Sequence, residues 1–483
     1  MTASTDNKTS QSARRVGHWI GGITSDSATD YLSRTSPRTG HLVSEIALGG
    51  PEDVNRAVTA ASAAAGAWES RRPIERGRLL TAVAQIIRNN ADHLIALESS
   101  ETGQTDVEVR SQIEGAAGFF EFYGGLVNAH NGEVIGLGAD YHSYASRSPF
   151  GVVAIVTPWN APLNQAARAV APALATGNVV VVKPSEYTSS STIELAKLAS
   201  EAGLPDGVLN VVCGSGQDVG EALVRHPAVS KISFTGSLRT GRAIGRIAAD
   251  RVVPCTLELG GKSANIVFAD ADLDLAASGS MVGFVGLAGQ MCIAGSRILV
   301  QRSVYDEFLD KLVGVVSQVR PGIELSPIVT PAQFTHVQEY FHTATKEGAV
   351  ARVGGRPASG ESVAGGQFVE PTVYTDVNPD MRIMREEIFG PVTAVMPFDD
   401  EDHAIRLAND TEFGLYAGIW TTDVSRAHRV PRHLQAGTVT VNEYLMDHVE
   451  TPFGGFKKSG IGREKGLEAL HHYTQVKTVT IKL

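Results

Sequence analysis

The chain has 483 residues, 43% apolar and 19% charged, with a formal net charge of −10; at about 100–200 residues per domain it holds two or three domains of globular composition. The acidic balance, without a long block of either sign, speaks against nucleic acid as a partner, because phosphate neutralisation calls for a basic face. No apolar run approaches the roughly 20 residues of a membrane-spanning helix, so no membrane partner is expected either.

Residues 1–15 are rich in Ser, Thr and Asn, carry Arg14 and Arg15, and lack an apolar stretch. They read as a disordered polar tail and not as a signal peptide. Ala, Val and Leu then recur at helical spacing over 53–68 and 74–97, which predicts two amphipathic helices. After Phe150 the rhythm changes to short continuous apolar runs at 151–156, 178–182, 208–213 and 231–234. Helical stretches lie between and after them at 163–175, 190–202, 219–225 and 240–249. Apolar strands alternating with helices predict βαβ units around a buried parallel sheet. A second α/β pattern follows Gly260, with strands at 263–268 and 297–300 and helices at 273–287 and 304–319. The fold class is therefore α/β, with two open-sheet domains. At the end, Val479, Ile481 and Leu483 alternate with Thr480 and Lys482, the pattern of a half-buried strand. Its edge needs a partner, and another subunit is one candidate.

Two glycine-bearing loops stand between a predicted strand and a predicted helix. Gly214-Ser215-Gly216-Gln217-Asp218-Val219-Gly220 is one residue longer than the dinucleotide fingerprint and is equally a plain turn. In Phe234-Thr235-Gly236-Ser237, followed by Thr240-Gly241, Ser237 and the free N–H groups of the helix start could bind a pyrophosphate, or Ser237 could simply cap the helix. Lys183-Pro184-Ser185-Glu186 sits at the carboxyl end of a parallel strand, where open α/β sheets bind ligands. A carboxylate there can accept from a ribose 2′-hydroxyl and would repel a 2′-phosphate. The plainer reading is a solvated Lys–Glu pair.

The three cysteines are Cys213, Cys255 and Cys292, too few for a disulfide framework and fitting a reducing cytoplasm. Cys213 ends an apolar strand and Cys255 enters one, so both read as packing residues. Cys292 lies in the glycine-bracketed segment Gly289-Gln290-Met291-Cys292-Ile293-Ala294-Gly295, which allows backbone and ligand to approach the sulfur. In Glu258-Leu259-Gly260-Gly261-Lys262 a carboxylate ends an apolar segment, as a partly desolvated base would, or as a glutamate paired with Lys262 would. Among fourteen histidines there is no HExxH spacing, and there is no CxxC pair, so no metal is expected.

From about Gly17 onward the chain resembles the aldehyde dehydrogenase superfamily. The resemblance is carried by Thr157-Pro158-Trp159-Asn160, Lys183-Pro184-Ser185-Glu186, Phe234-Thr235-Gly236-Ser237, Glu258-Leu259-Gly260-Gly261-Lys262, Gly289-Gln290-Met291-Cys292, Glu386-Glu387-Ile388-Phe389-Gly390-Pro391 and Pro452-Phe453-Gly454-Gly455, seven segments in family order. It implies a Rossmann-like cofactor domain (16–130 and 150–257), a catalytic domain (258–440) whose 441–468 loop returns to the cofactor side, and a small β oligomerisation element (131–149 and 469–483). It implies NAD as cofactor and a homodimer or homotetramer. Cys292 would attack the aldehyde, Asn160 with the Cys292 backbone N–H would hold the oxyanion, and Glu258 would activate the water that hydrolyses the thioester. Lys183 and Glu186 would hold the adenine ribose, Ser237 the pyrophosphate, and Glu387 with Phe389 the nicotinamide end. Thr157, Trp159, Ser185, Gly216, Phe234, Gly236 and Leu259 complete the expected cofactor contacts. The expected substrate pocket comprises Ala161, Gln165, Arg168, Gly286, Met291, Ile293, Asp447 and Phe453.

The chain also departs from the family pattern. Ala161 and Gly286 stand where many relatives carry aromatic residues, which suggests a roomier tunnel for a bulky or aromatic aldehyde, since removing large side chains leaves volume. Arg168-Ala169 stands where many relatives have a residue followed by Lys, so a proton relay through that Lys is in doubt. Two rival functions remain open on the sequence. One is a CoA-acylating dehydrogenase, which would not need Glu258; the other is a binding protein that has kept the fold without catalysis.

Overall fold

The computed structural model describes residues 13–25, 28, 30–129, 131–445 and 448–483. Asp447 and residues 1–12 of the expected tail lie outside the described residues. Arg14 and Arg15 are not tail: Arg14–Val16 forms a strand paired in parallel with Ser44–Ile46, because Val16 is buried in the core.

Two sheets carry the architecture. In the first, strands run in the order Gly460–Ile461, Cys255–Glu258, Val229–Thr235, Val152–Val156, Val179–Lys183, Leu209–Val211, His18–Ile20 and Ile23–Ser25. Its five central strands are parallel, and the edges are antiparallel. The reason is visible in the runs Val152–Val156 and Val179–Lys183. Their β-branched side chains are apolar on both faces and nearly all buried, which suits a strand covered by helices on both sides. Pro162–Ala175 is the most deeply placed of those helices, with Leu163, Val170 and Leu174 in the core. Proline at its first turn gives up an N–H that has no partner there anyway.

The second sheet runs Val350–Val353, Thr372–Thr375, Val392–Phe398, Arg297–Gln301, Ala264–Val267, Tyr416–Trp420 and Thr438–Val441, parallel except for its first member. A third, antiparallel sheet joins Glu133–Ile135, Tyr141–Pro149 and Thr474–Lys482. The terminal strand thus pairs with Tyr141–Pro149 of its own chain, in continuous register from Thr474 opposite Pro149 to Lys482 opposite Tyr141, and its outer edge stays open among the described residues. This arm starts later than expected from the sequence. Residues 469–473 are not part of it, because Ala469, Leu470 and Tyr473 are buried in the first core.

The expected helix over 74–97 is two helices, Pro73–Asn89 and Ala91–Thr102, broken at Asn90. The apolar periodicity continues across the break, so spacing alone did not reveal it. The helix expected over 273–287 stops at Val285. Beyond Gly286, Leu287 and Ala288 adopt left-handed backbone angles with φ of 50° and 52°.

Candidate active site

That left-handed turn aims the segment holding Cys292. Gly289 follows at φ +67°, and an added Cβ there would collide with the Gly390 carbonyl, so only glycine lets the two loops close. Gln290 fixes the turn from inside. Its Nε2 donates to the Leu287 and Pro327 carbonyls at 2.9 and 3.1 Å, and its Oε1 accepts from the Val329 N–H at 2.9 Å. A Cβ at Gly261 would strike the Cys292 carbonyl oxygen, so the segment after Glu258 packs flush against the thiol loop.

Cys292, Glu258 and Asn160 line one cavity of about 250 Å³. Asn160 follows the Val152–Val156 strand and precedes the Pro162–Ala175 helix. Its Nδ2 donates to the Gln290 carbonyl at 2.8 Å, while the Gln104 amide donates to its backbone oxygen at 2.7 Å. An amide nitrogen has two hydrogens, so one fixes the side chain and the other remains for a ligand oxygen. Gln104 is itself held by Gln112 at 2.8 Å.

Glu258 ends the Cys255–Glu258 strand and is 2% exposed. Neither carboxylate oxygen has a hydrogen-bond partner among the described residues. Burial holds its carboxyl well above the ordinary range, the nearby Glu464 adds to the rise, and Arg168, Arg463 and Lys465 oppose it. Glu387 reaches the same cavity, accepts from the Gly261 N–H at 3.1 Å, and is pushed up to about 7 by burial. Phe389 holds a left-handed φ of 56°, a strained angle for a bulky residue. Gln333 secures it by donating to the Ile388 and Phe389 carbonyls at 2.8 and 3.0 Å, and Trp159 meets its ring edge-on at 5.3 Å. The other two thiols sit elsewhere: burial pushes Cys213 up to about 12 and also raises Cys255.

Residues 23–479 match the profile of the aldehyde dehydrogenase family. The chain is 45% identical over 453 residues to a betaine aldehyde dehydrogenase of Mesorhizobium japonicum, covering 92% of this chain and 93% of that one. It is 42% identical to a betaine aldehyde dehydrogenase of Brucella anthropi, covering 97% and 98%. Among solved structures it is similar to betaine aldehyde dehydrogenase from Staphylococcus aureus in complex with NAD+, with a TM-score of 0.94, 37% identity and coverage of 96% and 94%. The chain belongs to the aldehyde dehydrogenase family.

In this aldehyde dehydrogenase the cavity gathers Trp159, Asn160, Gln165, Gly236, Ser237, Glu258, Leu259, Cys292, Glu387 and Phe389 of the residues singled out from sequence. Ser237 caps the Leu238–Arg251 helix, its Oγ accepting from the Thr240 N–H at 3.3 Å. Lys183 donates to Glu186 at 3.0 Å beyond the carboxyl end of its strand, with Ser185 buried between them. Thr157 is bound through its N–H to the Lys183 carbonyl at 3.1 Å, and Phe234 is packed in the core. Gly216 opens a five-residue turn whose Ser215 hydroxyl donates to Asp218 at 2.7 Å.

Six expected pocket residues do not line this cavity: Ala161, Arg168, Gly286, Met291, Ile293 and Phe453. Arg168 lies behind it in a buried ion pair with Glu464, and its guanidinium covers the Phe453 ring. Ile293 packs into the second core, where its carbonyl accepts from Tyr444. At Gly286 an added Cβ would stand 3.4 Å from Met291 Cε and 3.5 Å from Leu445 Cδ1, ordinary contact distances for a methyl. Those two side chains border the room that the missing ring was expected to vacate. Ala161 is buried at the head of its helix. Sequence reasoning missed Gln333 and His336, which line the cavity from the Pro331–Glu347 helix. No motif marks them, and that helix lies far along the chain from every segment that touches them here.

Proposed function

We propose that this enzyme oxidises a small aldehyde to its carboxylic acid through a covalent thioester on Cys292, with Asn160 holding the oxyanion and Glu258 activating water. The observation that carries this reading is the convergence of thiol, amide and desolvated carboxylate on one cavity. NAD is the cofactor. The residues present fit it. Glu186 stands where it can accept from a ribose hydroxyl. Ser237 opens a 14-residue helix whose free N–H groups suit a pyrophosphate. Glu387 and Phe389 bound the nicotinamide end. The Gly216 turn is the poorer phosphate site, since Asp218 would face the anion. When bound, NAD accepts the hydride released from the thiohemiacetal carbon. The chain's own residues do the rest. The Cys292 sulfur bonds to the carbonyl carbon, and the Asn160 amide donates to the oxygen that gains charge. Glu258 then takes a proton from water as that water attacks the thioester, and the acid leaves as the thiol is restored.

The first sheet with its helices is read as the cofactor half and the second as the catalytic half. The third sheet, with Val134, Val476 and Ile481 exposed, is read as the surface that joins subunits into a dimer or tetramer. A reducing compartment such as the cytoplasm suits the three cysteines, none of which is in a disulfide. No helix among the described residues is long and apolar enough to cross a membrane.

A small substrate, and not the bulky or aromatic one that Ala161 and Gly286 suggested, is favoured by the betaine aldehyde named in the relatives and by Met291 and Leu445 bordering the space at Gly286. The test is an aldehyde panel with NAD, following NADH. Propionaldehyde is expected to exceed benzaldehyde in kcat/KM. A preference for benzaldehyde would restore the roomy tunnel, and no NADH with any aldehyde would overturn the reading altogether.

Cofactor choice has its own check. Exchanging Glu186 for Gln removes the charge that opposes a 2′-phosphate and leaves Lys183 to attract it. The NADP to NAD ratio of kcat/KM is expected to rise about tenfold, the scale of a single lost repulsion. An unchanged ratio would place the discrimination elsewhere.

A further inference from the structure

Behind Glu258 lies a row of buried polar groups that the reaction as described does not use. The Val229–Thr235 and Cys255–Glu258 strands are parallel neighbours, with Ser233 opposite Thr256 and Thr235 opposite Glu258. Alternate residues of a strand share a face, so Ser233, Thr235, Thr256 and Glu258 all face the same way. On that face Ser233 donates to Glu464 Oε1 at 3.2 Å, Glu464 Oε2 meets Arg168 Nε at 2.5 Å, and Arg168 Nη2 donates to Thr235 Oγ1 at 3.2 Å. The side chains of Arg168 and Glu464 are 5% and 1% exposed. The backbone of Glu464 pairs with that of Phe453, and the next residue, Gly454, lies so near that a Cβ would come within 2.9 Å of Glu258 Oε1. The ion pair is therefore anchored to the strand position beside Glu258 on one side and to the loop touching its carboxylate on the other.

A buried ion pair of this kind is weak evidence for stability, because desolvation offsets its attraction. A guanidinium also cannot release its proton, so Arg168 acts on its surroundings only as a fixed charge. We propose that the Arg168–Glu464 pair is a positioning device that sets the electrostatic potential at Glu258, with Arg168 cancelling the field of a carboxylate that would otherwise disable the neighbouring base. This rests on the reading of Glu258 as the group that activates water. The charged groups facing Glu258 are Glu464, which favours its protonated form, and Arg168, Arg463 and Lys465, which favour the carboxylate. Tyr123, Tyr473 and Lys231 face Glu464 in turn.

Because the two partners push in opposite directions, their variants separate an electrostatic role from a merely structural one. In Arg168→Gln the Glu464 charge is left uncompensated, and the acidic limb of the steady-state rate, measured after a pre-steady-state burst of NADH, should move up by about one pH unit. In Glu464→Gln the guanidinium is left uncompensated, and the limb should move down by a similar amount. Arg168→Gln combined with Glu464→Gln should return it close to the parent, and Arg168→Lys should leave it in place. Limbs that coincide, or that move the same way in both single variants, overturn the proposal. If Arg168→Gln does not fold, Glu464→Gln decides alone, and a limb that fails to fall counts against it. The burst keeps the two readings apart. A Cys292-dependent burst with unmoved limbs defeats only the role of the pair, whereas a parent enzyme that forms no NADH with any aldehyde defeats the thioester reading itself.

Discussion

Replacing Cys292 by alanine should lower aldehyde oxidation at least a thousandfold while NAD still binds, as judged by fluorescence titration. Among the described residues that line the cavity Cys292 brings the one thiol, a group that bonds to a carbonyl carbon and leaves it again readily, and removing a covalent nucleophile forfeits the whole route, with only residual binding effects surviving. Serine is not a substitute, because its hydroxyl ionises far less readily than a thiol and would need a base beside it. The other two thiols provide the control. Cys213 is fully buried and its thiol is pushed up to about 12, so it is inert near neutrality, and Cys255 lies outside the cavity. Cys213→Ala and Cys255→Ala should each keep kcat within about twofold, since neither touches the reacting atoms. Undiminished turnover in Cys292→Ala would overthrow the assignment.

Glu258→Gln should uncouple the two halves of the reaction. Hydride loss from the thiohemiacetal does not need the carboxylate, so stopped flow should still show a burst of NADH approaching one equivalent per subunit. The steady-state rate should then fall by about 10²–10⁴-fold, the usual cost of losing a general base. The pH dependence follows from the direction of the shift. Burial raises the Glu258 carboxyl above its ordinary range, so its basic form is present only above that raised value and is lost as pH falls through it. The parent enzyme should therefore show an acidic limb displaced upward from that of an ordinary glutamate, and the limb should be absent from the residual rate of the variant. Loss of the burst together with steady turnover would instead assign Glu258 to the first half of the reaction.

The parts legible in the sequence are those that local physics settles. Runs such as residues 179–182 have no polar face to turn outward, so a buried parallel strand is their natural state. Cys292 and Glu258 each sit inside contiguous segments whose glycines announce close approach, and Gly261 and Gly289 prove to be where the loops touch. What the sequence hid depends on distance along the chain. The empty place at Gly286 looked like volume until Met291 and Leu445 were seen against it. The missing charge at Ala169 was plain, but not that Arg168 would meet a glutamate almost three hundred residues later. Gln333 carries no signature of its own; it matters because its helix is brought under Phe389.

The pairing of Gly460 with Glu258, and the Leu259 N–H to Ser459 carbonyl bond of 2.8 Å beside it, have a consequence for biosynthesis. The edge that steadies the base is contributed by a strand translated some two hundred residues after it. A nascent polypeptide whose ribosome has not yet passed that strand already owns its nucleophile, yet the shelf under its water-activating group is unfinished. Full turnover should thus appear only late in translation, once that strand has joined the edge of the sheet.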